Sequence, residues 1–89
     1  MVLAKPIYKA KVAVRLKESV LDPQGEAILR ALQSQGESGY KAIRVGKLIE
    51  LVLEGDDLTD VQKKVAKLAD DLLANPIMET YAVTVESFS

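Results

Sequence analysis

Cysteine and histidine are both absent from the 89-residue chain. Without thiols there are no disulfides and no thiolate chemistry, and without either residue the usual zinc sites are excluded. The missing imidazole also removes the commonest general base near neutral pH. A cysteine-free composition fits a reducing cytosol. Long apolar runs are lacking too: no window approaches a membrane-spanning length, and residues 1–6 show no positively charged segment followed by an apolar core, so a soluble, cytoplasmic protein is expected. Neither sign of charge dominates, with 12 Lys and Arg against 13 Asp and Glu. The resulting formal net charge of -1 gives no global attraction to nucleic acid or anionic lipid.

What is present is an ordinary globular composition, 48% hydrophobic and 28% charged, with no low-complexity segment, which indicates a single domain over residues 1–89. A chain this short buries only about 60 to 65% of its unfolded surface, so it is modestly stable alone and gains from association.

The most unusual stretch is Val20-Leu21-Asp22-Pro23-Gln24-Gly25, where a strand pattern gives way to a helix pattern. Asp22 suits a helix cap and Pro23 the first helical position, where a missing N–H costs nothing. Gly25 falls in the first turn, where glycine costs up to roughly 1 kcal/mol against alanine and a capping box would place Glu or Gln. Either it lets a corner pack tightly, or Gln24 and Gly25 offer an exposed helix start to a partner.

Before this corner, Ile7 to Lys17 alternates, with Tyr8, Ala10, Val12, Val14 and Leu16 on one side and Lys9, Lys11, Arg15 and Lys17 on the other, as in a half-buried strand. The helix after it is expected from Pro23 to Gln35, with Ile28, Leu29, Ala31 and Leu32 on its apolar side and Gly36 ending it. Tyr40 to Glu54 alternates again through Ile43, Val45, Ile49, Leu51 and Leu53. Gly46 lies in its middle, so one bent strand and two strands folded at Val45-Gly46-Lys47 both remain open. A second helix follows the turn Gly55-Asp56-Asp57, with Thr59 and Gln62 spaced as a capping box and Leu58, Val61, Val65, Leu68, Ala69 and Leu72 recurring at helical spacing. Asn75-Pro76 stops it, and Met78 to Glu86 reads as a last strand with Tyr81, Val83 and Val85 inward. The order predicts an α+β, two-layer sandwich related to the ferredoxin-like plan, β-α-β(β)-α-β, with both helices on one sheet face.

The outward positions of the strands mix Lys9, Lys11 and Arg15 with Glu50, Glu54 and Glu86, over small apolar ground from Ala13, Leu48, Val52 and Ala82. An RNA-binding sheet of this topology sets aromatic rings on that face, whereas Tyr8 and Tyr81 have inward parity and Tyr40 precedes the strand. A flat, mixed, partly apolar face fits a subunit contact better than nucleic acid.

The inventory for free-standing catalysis is poor: no motif pairs carboxylates, activates a serine or builds a phosphate loop. Acylphosphatases share the layout but carry a glycine-rich loop with an arginine after the first strand, which Val20 to Gly25 does not match. An ACT-like, small-molecule-sensing dimeric module is the rival reading, on topology and on Gly46.

Four stretches then add up to a resemblance: Lys11-Val12-Ala13-Val14 with Leu16-Lys17, the corner Val20 to Gly25, Ile43-Arg44-Val45-Gly46-Lys47 with Glu50-Leu51, and Leu72-Leu73-Ala74-Asn75-Pro76-Ile77-Met78-Glu79. Together they span nearly the whole chain, and it resembles the PurS family, the small subunits of phosphoribosylformylglycinamidine synthase. The resemblance implies a non-catalytic assembly subunit of purine biosynthesis. In that family a PurL synthetase subunit makes formylglycinamidine ribonucleotide with ATP and Mg, a PurQ glutaminase subunit supplies ammonia from glutamine, and a PurS dimer helps join them. It therefore implies no cofactor in this chain, with ATP and Mg used by the partner synthetase. The implied partners are a second copy, as a homodimer or higher, together with PurL-type and PurQ-type subunits.

The residues expected to make contacts fall in three patches: Leu21, Gln24 and Gly25; Arg44, Gly46 and Lys47; and Asn75 and Glu79. For their neighbours Asp22, Pro23 and Pro76, local helix-start and helix-stop roles suffice.

Overall fold

The computed structural model describes residues 5–88. Strand β1, Ile7–Leu16, leads to helix α1, Pro23–Ser34; then come strand β2, Gly46–Glu54, helix α2, Leu58–Leu68, and strand β3, Glu79–Ser87. All pairing is antiparallel with β1 central, in the order β2-β1-β3. The register sets Ala13 opposite Leu48 on one side and Ala82 on the other, and Val12 opposite Ile49 and Val83. The alternation on β1 is thus shared by both neighbours, giving one apolar and one mixed face.

The apolar face is covered by α2. Val61, Val65 and Ala69 pack onto Ala10, Val12 and Val14, with Ile49, Leu51, Val83 and Val85 around them. The largest fully buried side chains are all valines, each contributing on the order of 2 kcal/mol through burial. Asp57 caps α2, its carboxylate accepting the Asp60 N–H at 2.7 Å, while Asp60 accepts from Asp56 N–H. The start signal is therefore two residues earlier than the Thr59 and Gln62 pair, because an aspartate is already available at the turn. Beyond Leu68 the helix widens into a π-helical turn, Ala69–Leu73, closed by the Ala74 N–H on the Ala69 carbonyl at 2.9 Å.

The end of α1 forms as the sequence indicates. Gly36 adopts φ +82°, the Gly36 N–H donates to the Gln33 carbonyl and the Glu37 N–H to the Leu32 carbonyl, the two bonds of a Schellman motif. Its seat is different. The class and the β-α-β-α-β order agree with the sequence reading, yet only α2 lies on the sheet, and α1 has no substantial packing against any strand. The reason is width. Three strands about 4.8 Å apart span roughly 10 Å, about the diameter of one helix, and α2 already lies along β3 and β1. The molecule is accordingly elongated, 65 × 27 × 14 Å, with a radius of gyration of 17.7 Å where a compact chain of this length gives about 12 Å.

The choice left open at Gly46 is also resolved. Residues 40–45 form no strand, β2 begins at Gly46 opposite Arg15, and there is no hairpin. A Cβ on Gly46 would lie 2.6 Å from the Val14 carbonyl oxygen, so glycine is what lets β2 start against β1.

Candidate partner-contact site

The three patches converge on the end of the sheet where β1 finishes, β2 begins and β3 begins. A turn at Lys17 to Val20, closed by the Val20 N–H on the Lys17 carbonyl at 2.9 Å, carries the chain from β1 to the α1 cap. Asp22 is buried at that cap. One carboxylate oxygen accepts the Gly25 N–H at 3.1 Å, satisfying an N-terminal donor of α1, and the other accepts the Val45 N–H at 2.7 Å. The carboxyl is held below the usual carboxylate range, first by the Val45 N–H, then by the Gly25 N–H, with the Arg44 charge and the Gln24 N–H adding and burial opposing. Asp22 is therefore more than the helix-start residue its spacing suggests: it ties both sides of the α1 excursion together.

Arg44 closes the same corner. Its Nη2 donates to the carbonyls of Lys17 at 2.8 Å, Val20 at 3.0 Å and, more weakly, Leu16 at 3.4 Å. Arg44, expected as a contact residue, is used within the chain: the turn presents its carbonyls to one side, and the guanidinium gathers them. Gly25 is buried, and a Cβ would overlap the Ile43 carbonyl oxygen, so a close approach to this backbone is made within the chain itself.

The third patch is also occupied locally. The Asn75 side-chain oxygen accepts the N–H groups of Ile77 at 3.0 Å and Met78 at 3.3 Å, and Glu79 accepts the Asn75 N–H at 2.7 Å. These bonds shape the turn that follows α2 and deliver β3 to its register, Glu79 opposite Leu16. Leu21, Gln24 and Lys47 remain exposed at the rim, Leu21 at 72%. Gln24, Lys47 and Glu79 share a cleft of about 310 Å³ with Asp22 and Arg15. Of these, Arg15 was on the outward side by parity but was absent from the expected contact set. The signal for it lies in the register, which sets it directly across from Gly46.

The described residues hold no group of three or more carboxylates positioned for a metal ion, and no helix among them is long and apolar enough to cross a membrane. Such a chain, with its buried polar chemistry spent on its own turns, falls in the class of small ferredoxin-like α+β subunits. Residues 9–87 match the family model described as PurS: Phosphoribosylformylglycinamidine (FGAM) synthase. The phosphoribosylformylglycinamidine synthase subunit PurS of Bacillus subtilis is 45% identical over 80 residues, 90% of this chain and 94% of that protein. The crystal structure of Methanocaldococcus jannaschii PurS superposes with a TM-score of 0.81 at 34% identity, covering 92% of this chain and 99% of that one. A chain of the PurLQS structure from Thermotoga maritima gives 0.82 at 33% identity, covering 91% and 99%. The chain belongs to the PurS family, the small subunits of phosphoribosylformylglycinamidine synthase. The ACT-like alternative receives no support from these relatives.

Proposed function

We propose that this chain is the non-catalytic assembly subunit of its synthase, working in the cytoplasm as a homodimer or larger self-assembly that joins a PurL-type synthetase to a PurQ-type glutaminase. Ammonia released from glutamine on one partner is thereby used for ATP-dependent amidation on the other. ATP and Mg are handled by the synthetase, and no cofactor belongs to this chain. The observation that carries the reading is α1: it extends from the sheet with an apolar side that its own fold does not cover, Ile28 being 46% exposed. A helix of 12 residues is marginal by itself, so its stability must come from packing, which here requires another chain. The composition agrees, since neither histidine nor cysteine is available for glutaminase or synthetase chemistry.

The contact residues in this reading are Leu21, Gln24 and Lys47 at the exposed rim, held in place by Gly25, Arg44, Gly46, Asn75 and Glu79. Mixing the purified chain with its synthetase and glutaminase is expected to raise glutamine-dependent synthesis strongly and ammonia-dependent synthesis little. Equal turnover with glutamine in its presence and absence would remove the reading.

A further inference from the structure

The sheet is open at both edges, since β2 and β3 each pair with β1 alone. Its inner face is unevenly covered: α2 packs mainly on β3 and then on β1, and Ile49, Leu51 and Leu53 of β2 are only half-buried. Just before β2, residues 40–45 continue its alternation, with Ile43 and Val45 half-buried and Ala42 exposed. Among the described residues, none of the backbone groups of residues 40–44 hydrogen-bonds to other backbone. One chain therefore carries an unpaired strand edge, an unpaired strand-patterned segment, a half-covered apolar strip and a helix, α1, with an uncovered apolar side.

We propose that residues 40–45 of each copy pair, as an antiparallel fourth strand, with the outer edge of β2 in a second copy, bringing α1 over the β2 side of that copy's inner face. This rests on the self-association in the reading above and gives it a surface. The edge and the segment cannot meet within one chain, because residues 40–45 run straight into β2 with no hairpin between them. Across a two-fold axis near Gly46 they meet reciprocally, and such a contact closes at two copies. An even register keeps Ile43 and Val45 on the face of Ile49, Leu51 and Leu53, whereas a slip of one residue would turn them outward. The fourth strand also removes the limit on width: four strands span roughly 14 Å, room for two helices whose axes lie about 8 to 10 Å apart. Finally, α1 travels with the segment, since Asp22 bonds the Val45 N–H and Gly25 sits against Ile43.

The absence of cysteine makes the full chain its own test, because single introduced cysteines can report only contacts between copies. Ala42→Cys chains are mixed with Glu50→Cys or Val52→Cys chains, all exposed positions on the outer face, then mildly oxidised and separated without reductant. One of these mixtures is expected to give about tenfold more cross-linked dimer than Ala42→Cys with Thr84→Cys on β3, because a disulfide needs Cα atoms within about 4.4 to 6.8 Å. Hydrogen exchange on the unaltered chain supplies a second measurement: amides of residues 41–44 are expected to be protected at micromolar concentration and to lose protection on dilution. Cross-linking to Thr84→Cys instead would place the segment on β3 and overturn the proposal. A chain that sediments as a dimer with neither cross-link nor protection would also overturn it and leave the assembly reading standing. A chain that stays monomeric overturns it as well, and defeats the assembly reading only if it also fails to raise glutamine-dependent synthesis.

Discussion

The Asp22 carboxylate reaches the Val45 backbone N–H at 2.7 Å across 23 positions of sequence, joining the residue that starts α1 to the residue just before β2. Everything between them, α1 and its return, hangs on that bond, on the Arg44 clamp and on the Gly25 contact with Ile43. Asp22→Ala removes an N-cap and leaves the Val45 donor without its acceptor. The thermal midpoint, followed by circular dichroism, is expected to drop by on the order of 10 °C. Asp22→Asn keeps one side-chain acceptor oxygen and should fall in between.

The same carboxylate gives a pH dependence of known sign. Its pKa is lowered on folding, so the folded chain binds this proton less readily than the unfolded chain. The stabilisation is fully present above the unfolded carboxylate range, near pH 4, and is lost as pH falls through the lower folded value. The gap in thermal midpoint between wild type and Asp22→Asn is therefore expected to be constant from pH 6 to 8 and to close on acidification below about pH 4. A gap that widened in acid would contradict the assignment.

Gly25→Ala sets propensity against packing. An alanine in the first turn of α1 gains up to roughly 1 kcal/mol as a helix former. Its Cβ, however, would overlap the Ile43 carbonyl oxygen, backbone that yields only if the Val45 and Arg44 bonds shift with it. Overpacking of this kind costs about 1 to 3 kcal/mol, so a net loss of about 1 to 2 kcal/mol is expected by urea denaturation. Stabilisation would mean that propensity wins and that Ile43 sits farther away.

Much of this was legible in the sequence, for a local reason. Alternation on β1, the helical spacing of Val61, Val65 and Ala69, and the Gly36 stop are properties of neighbouring residues, and each element appears where they place it. What was not legible depends on distant partners. Ile43 and Val45 continue the alternation of β2, yet β1 ends at Leu16, and no strand remains opposite residues 40–45 to pair with. The seat of α1 depends on sheet width, which follows only once the number of strands is known. The roles of Arg44 and Asp22 depend on a turn whose carbonyls and N–H groups become neighbours only on folding. Sequence spacing gathered Arg44, Gly46 and Lys47 into one patch, but could not say that it lies beside Gln24 or which side chains the chain would use for itself.

Two valines of β-branched shape separate folding from association. Val65, on α2, is buried against the sheet, and Val65→Ala is expected to cost about 2 to 3 kcal/mol in urea denaturation, through lost burial and the cavity left behind. Val52, on the mixed face of β2, is 59% exposed. Val52→Ala should change the isolated chain by less than about 0.5 kcal/mol, as surface substitutions generally do.

Ile28→Glu probes the uncovered side of α1. Within the chain this residue has little to lose, being nearly half exposed on a helix that no strand supports. A charged side chain there leaves the α2 core untouched, because Val61, Val65 and Ala69 lie on the other helix. If a second copy covers that side, however, the substitution places a carboxylate in an apolar contact, where an unpaired buried charge costs several kcal/mol. Sedimentation equilibrium at micromolar concentration is expected to show the wild type as at least a dimer and Ile28→Glu shifted at least tenfold towards monomer. A variant that self-associates as strongly as the wild type would mean that α1 is covered in some other way, and would leave the stability of that helix without a source.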